Sequence, residues 1–166
     1  MKEFLRKKNI IFSAKRYGID ALGAMAQGLF ASLLIGTIIN TIGTQFHIPF
    51  LTMAVATVND TQYTVGSLAS AMSGPAMAVA IGYALHCPPL VLFSLITVGF
   101  ASNALGGAGG PLAVLFVAIV AAEIGKAVSK ETKIDIIVTP AVTVIVGVVL
   151  AMLLAPVCKS VCDALG

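Results

Sequence analysis

Between Ala21 and Ala122 the chain carries a single Asp, Glu, Lys or Arg, which is Asp60. A stretch of that length cannot cover a water-soluble domain, where roughly a quarter of the residues are charged. Over the whole chain 58% of residues are hydrophobic and 10% charged, and the mean hydropathy is +1.03. In lipid every backbone polar group has to be bonded within the chain, and helices do this locally. The expected fold is therefore an all-α integral membrane protein.

The remaining charges report topology. Lys2, Arg6, Lys7, Lys8, Lys15 and Arg16 precede the apolar region, and Lys126, Lys130 and Lys133 follow it. Lysine and arginine collect on the cytoplasmic side, so the net charge of +3 speaks of membrane orientation, with the amino terminus inside, and not of nucleic acid. Residues 1–18 place Phe4, Leu5, Ile11 and Phe12 on one helical face with cations around the rest, the pattern of a basic interfacial helix on anionic lipid. The alternative is a solvated basic tail. The apolar run after Asp20 reaches about Ile42, too long for a cleavable leader and long enough for a retained span. Cys87, Cys158 and Cys162 fit neither a disulfide framework nor a metal pattern, and no cofactor motif or catalytic residue is visible.

Residues 19–166 then read as one polytopic domain with spans at about 21–42, 65–85, 90–105, 111–127 and 136–155. In the first, Ala24, Gly28, Ser32 and Gly36 recur every fourth residue, and Ser70, Gly74, Ala78 and Gly82 do the same in the second. Such stripes let another helix approach closely. Gln27 and Asn40 are expected to bond neighbouring helices, Asp20 to cap the first span, and Pro75 to kink the second. Between these spans, residues 48–58 are apolar but too few to cross, which suggests a re-entrant or interfacial segment. Its polar tip holds Asn59 and Asp60. Asp60 is either part of a solute or ion path or a helix cap in a solvated loop. Glu123 likewise reads either as a site residue or as the salt-bridge partner of Lys126.

The densest interruption is Asn103 to Pro111, N-A-L-G-G-A-G-G-P. Non-helical backbone survives at membrane depth only where protein or a water-filled cavity surrounds it, and broken helices are where membrane carriers place ligands. Asn103, Gly106, Gly107, Gly109 and Gly110 are therefore candidate binding residues, their amides open to an anion or a hydroxyl-rich group near the bilayer centre. With the amino terminus and the lysine-rich turn on one side, four crossings lie between them and the last helix makes five. An odd count is the signature of one half of an inverted-repeat transporter, which needs a second half or an antiparallel copy of itself.

The segments K-K-N-I-I-F-S-A-K-R-Y-G-I-D-A-L-G, N-A-L-G-G-A-G-G-P-L-A-V and S-K-E-T-K-I-D-I-I-V-T-P resemble the membrane subunit, enzyme IIC, of the bacterial phosphotransferase system. Within it they are most similar to the stand-alone branch that includes perfringolysin regulator-type proteins, of which this chain would be the amino-terminal half. The resemblance implies a permease subunit of the bacterial cytoplasmic membrane that moves a sugar or related polar solute by alternating access. Any phosphate transfer to the sugar would need separate IIA and IIB partners. The histidine and glutamate sugar motif of glucose-type carriers is not present. Two other readings remain from the residues: a membrane sensor that binds a solute without moving it, and a structural subunit whose glycines serve helix packing alone.

Overall fold

A computed structural model describes residues 2–131 and 133–165. A short helix α1 (Lys2–Lys7) leads into a rod over Lys15–Gln45. The rod holds α2 (Ala21–Leu29) and α3 (Ile35–Gln45), each preceded by a π-helical segment, Lys15–Asp20 and Phe30–Leu34. One turn of helix, α4 (Pro49–Thr52), and a hairpin of β1 (Ala56–Val58) and β2 (Thr61–Tyr63) follow. The chain then runs through α5 (Val65–Ala71), α6 (Ser73–Ala84), α7 (Pro89–Gly106), a 3₁₀ turn at Gly107–Gly109, α8 (Gly110–Val128) and α9 (Asp135–Leu165). All-α architecture is thus observed apart from the small hairpin.

Three details differ from the sequence expectations. Asp20 makes no capping bond, because the helix already begins at Lys15 and carries Asp20 in its interior. The bend in the second apolar segment, 51°, falls at Met72 between α5 and α6, one turn before Pro75. That is the proline's doing: it lacks the amide that would bond the carbonyl of Ala71. The apolar segment over residues 48–58 ends as a surface hairpin, with Val58 opposite Thr61 and a two-residue turn at Asn59 and Asp60. Both turn residues have positive φ, 48° and 63°, the left-handed twist that two-residue hairpins demand and that Asn and Asp tolerate best.

Three segments are long and apolar enough to cross a membrane, Lys15–Gln45, Pro89–Val128 and Asp135–Leu165, and the bent pair α5 and α6 raises this to four. The 40 residues of Pro89–Val128 do not form one rod. A Cβ on Gly125 would lie 2.8 Å from Cγ1 of Val91, so the end of α8 lies beside the start of α7 and the chain reverses at the glycines.

The helices are held by close approach. A Cβ on Gly74 would sit 2.5 Å from the carbonyl oxygen of Gly99, and one on Gly28 would sit 2.5 Å from that of Ala76. Gly36 and Gly66 are likewise backed against each other's helix, as is Gly147 against Val98. Both small-residue stripes are thus contact surfaces, and the buried core between them is small or branched: Val98, Val114, Val117, Ala118, Ala121 and Ala151 are all at 0% exposure. Large side chains such as Phe93, Phe100, Phe116, Ile145 and Leu153 point outward, where a bilayer would solvate them. Hydroxyls are satisfied within their own helices, Ser32 on Gly28, Ser102 on Val98 and Thr143 on Thr139 at 2.7–2.8 Å.

The glycine contacts carry a clear expectation. Gly99→Val forces α6 and α7 apart and lowers stability by about 1–3 kcal/mol or more, the usual cost of overpacking a tight interface. Gly23→Ala, where a Cβ meets nothing within 4 Å, is neutral or slightly stabilising. Reversible unfolding in detergent, comparing the two variants, measures the difference.

Candidate functional site

Asn103, Gly106, Gly107, Gly109 and Gly110 lie together at the turn between α7 and α8. Gly107 has φ +52° and faces open space; only Lys159 comes near, its Cδ 3.8 Å from where a Cβ would be. Gly109 is pressed onto α9, since a Cβ there would lie 2.6 Å from the carbonyl oxygen of Cys158. Gly110 abuts the Asn103 side chain, with its would-be Cβ 2.5 Å from Oδ1, and Gly106 meets Ala113 at 3.2 Å. Gly106, Gly109 and Gly110 are buried, whereas Gly107 and Ala108 are exposed. Adjacent glycine pairs therefore have a packing purpose: one member sets the reversal while the other admits a neighbour.

Asn103 links this turn to the bundle. Its Nδ2 reaches toward Oγ of Ser73 on α6 at 3.5 Å, and its Cβ lies against Gly74. This is a long, weak polar contact between two helices otherwise joined by glycine and apolar atoms. The turn lies level with Lys159, about 36 Å along α9 from Asp135 at 1.5 Å per residue. An apolar bilayer core is about 30 Å thick, so this position belongs to one end of the bundle and not to its middle.

The other candidate residues stand apart from it. Asn59 and Asp60 occupy the tip of the exposed hairpin, which packs on α5 at the same end of the bundle. Glu123 lies 13 residues along α8 from Gly110, about 20 Å away toward the opposite end. There it pairs with Lys126 at 2.9 Å.

That opposite end contains a polar clamp for which the sequence held no separate signal. The C-terminus of α6 closes with His86 in the left-handed conformation, Cys87 N–H donating to Gly82 and His86 N–H to Tyr83. The Leu85 carbonyl is left free of its helix and accepts from two buried cations, Arg16 Nη2 at 2.7 Å and Lys126 Nζ at 3.1 Å. Lys126, 1% exposed, spends all three of its hydrogens: on Leu85, on the Asn9 carbonyl at 3.1 Å and on Glu123. Asn9 also accepts from Arg16 through its side chain at 3.1 Å. Lys8 bonds the Ser129 carbonyl and pairs with Glu131 at 2.6 Å. The amino-terminal segment is thereby tied to the ends of α6 and α8 and does more than lie on lipid.

Two measurements follow. Lys126→Met leaves the Glu123 charge and the Asn9 carbonyl without their donor, and the Leu85 carbonyl with Arg16 alone, and costs about 3–5 kcal/mol, as breaking buried pairs does; adding Glu123→Gln recovers part of that loss. Denaturation of the single and double variants in detergent gives both numbers. Burial pushes the Cys87 thiol up to about 12, against the opposing pull of the Lys126 charge. At pH 8 only about one Cys87 in ten thousand is then thiolate, so iodoacetamide labels Cys162 first, and Cys87 labelling rises only as the pH climbs toward 12. Mass mapping of alkylated thiols across pH reads this directly.

A sequence model of the family described as "Phosphotransferase system, EIIC" matches residues 19–166. No curated protein and no solved structure matches the chain. The matched region begins just after the buried Arg16 and takes in the whole bundle, glycine turn and Lys126 included. The chain is a member of the phosphotransferase-system EIIC family.

Proposed function

We propose that this chain is a sugar-permease unit that crosses the membrane five times and alternates between an outer seam at Asn103 and an inner clamp at Leu85. Family membership makes it a membrane component of sugar uptake. The observation that carries the finer reading is the 3.5 Å contact of Asn103 with Ser73, a weak polar seam between helices that touch through Gly74 and Gly99. Smooth glycine surfaces resist sliding little, and a solute hydroxyl gives both polar groups a better partner than they give each other.

In this reading the outer mouth lies between the exposed Gly107 amide region and the Asn59–Asp60 turn, with Gly106, Gly109 and Gly110 holding the turn in place. Glu123 with Lys126 closes the cytoplasmic end. Seven basic residues, Lys7, Lys8, Lys15, Arg16, Lys126, Lys130 and Lys133, flank that end, which fits a cytoplasmic amino terminus. Phosphate for the sugar comes from a separate phosphorylated IIB protein, which supplies the phosphoryl donor. A second inverted unit, either another half or a second copy, completes the path.

Cells making the protein, with the cognate soluble phosphotransferase proteins, are given a panel of radiolabelled hexoses and disaccharides. Asn103→Leu and Ser73→Ala are expected to reduce uptake about tenfold or more, the worth of one or two lost hydrogen bonds, while melting within a few degrees of the wild type. Undiminished uptake in both variants would sink the seam. A wild-type chain that binds a panel member without moving it would instead be a sensor.

A further inference from the structure

A recess of about 430 Å³ opens at the same end of the bundle as the glycine turn, between α3, α4, β2 and the start of α5. Six of its seven lining side chains are uncharged and polar: Asn40, Thr44, Thr52, Gln62, Thr64 and Ser67. That composition is unusual for a chain in which 58% of residues are hydrophobic. We infer that this recess binds a neutral polyhydroxylated solute, a sugar in its unphosphorylated form. The inference rests on the reading of the chain as a sugar-uptake component and assigns the place where the sugar is first held.

The chemistry follows from which groups are already bonded. Thr64 and Ser67 form a capping box at the start of α5, so that helix end is closed by its own side chains. Thr64 Oγ1 also donates to Asn40 Oδ1 at 2.8 Å, which fixes the Asn40 amide with its Nδ2 hydrogens still to be donated. Thr44 is turned back onto the Asn40 and Thr41 carbonyls at 3.0 Å. Among the described residues neither Asn40 Nδ2 nor the Gln62 amide has a hydrogen-bond partner. One oriented amide, a donor at Asn40, and one exposed amide at Gln62, both donor and acceptor, together with Leu51 and the threonine methyls, suit a ring that presents hydroxyls at its edge and C–H groups on its face.

Charge selects the form of the solute. No Asp, Glu, Lys or Arg lines the recess, and the nearest one in sequence is Asp60, two residues before Gln62 on the hairpin. A phosphate placed there would have no cation to compensate its charge. The recess therefore accepts substrate and rejects phosphorylated product. Asn40 and Thr64 also join the first rod to α5, the short helix that meets α6 at the 51° bend. Occupation thus tightens the helix that leads to Ser73 and the Asn103 seam.

The test uses the full chain in nanodiscs and thermal stabilisation by glucose, maltose, sorbitol and glucose 6-phosphate. Gln62→Leu removes an exposed amide, and Asn40→Asp keeps the oxygen that Thr64 needs while replacing the free donor. At least one neutral probe is expected to stabilise the wild type, each variant to weaken its apparent affinity about tenfold, and glucose 6-phosphate to do nothing. The inference is overturned by any of three results: no neutral probe stabilises the wild type, the variants match it, or glucose 6-phosphate binds as well as glucose. General polyol stabilisation is equal in all three proteins and so counts as the second of these. Binding is read without transport. A chain that binds here yet moves nothing defeats only the permease reading, and one that takes up sugar with variants indistinguishable from wild type defeats only the recess.

Discussion

Helices in lipid gain nothing by hiding apolar side chains from one another, so what holds this bundle is how near their backbones come. Gly74 against Gly99, Gly28 against Ala76 and Gly109 against Cys158 are contacts in which a single methyl group would meet a carbonyl. Everything else in the fold accommodates these approaches. The core is mostly alanine and valine, with Met77, Ile81, Leu85 and Leu95 as its larger members, and phenylalanines such as Phe93, Phe100 and Phe116 are turned outward. The chain reverses within three residues at Gly107–Gly109 because Gly107 takes a φ of +52°, and α8 so returns to lie beside α7.

Close approach alone would leave the helices free to slide, and the second constraint prevents this at one end only. Arg16 and Lys126 converge on one carbonyl, that of Leu85, which is available because the α6 terminus satisfies its own amides through the left-handed turn at His86. Each cation sees several acceptors, so neither is left as an uncompensated buried charge. The cost of burying them is offset by binding three parts of the chain at a point, the amino-terminal segment, the α6 end and the α8 end. The opposite end has Asn103 and Ser73 at 3.5 Å, an exposed glycine turn and a hairpin. The lysine-rich side is therefore joined by buried cations, and the other by glycine packing and neutral side-chain bonds.

What the sequence revealed, and what it concealed, divides along locality. The four-residue spacing of Gly28 with Ser32 and Gly36, and of Gly74 with Ala78 and Gly82, is a property of one helix and was readable as a contact face. The reversal at the glycines was readable for the same reason. The clamp was not, because its acceptors are the backbone carbonyls of Leu85, Asn9 and Ser129, and every residue has one; only the fold says which are unbonded. Glu123 with Lys126 was legible as a three-residue pair, while Arg16 with Leu85 spans 69 residues and was not. The strands of the hairpin are three residues each, too short for an alternating pattern to stand out from the apolar run before them. Gly109 and Gly110 read as open amides because their neighbours, Cys158 and Asn103, approach only in three dimensions.

The position of the bend joins these observations. Pro75 withdraws one amide near the start of α6, and the helix turns 51° at Met72, next to Ser73. Below the bend α6 runs to the clamp at Leu85; above it α5 runs to Gly66, packed on the first rod, and to the Thr64 cap. The two segments on either side of the bend pack on one neighbour. Here the first rod holds both: Arg16 and Gly28 meet α6 at Leu85 and Ala76, Gly36 and Asn40 meet α5 at Gly66 and Thr64, and Lys126 adds a tie from the lower segment to α8. The bend thus lies with the rod on one side of it and α7 on the other, where Asn103 reaches Ser73 over 3.5 Å, a longer and weaker link than those at Leu85 and Thr64.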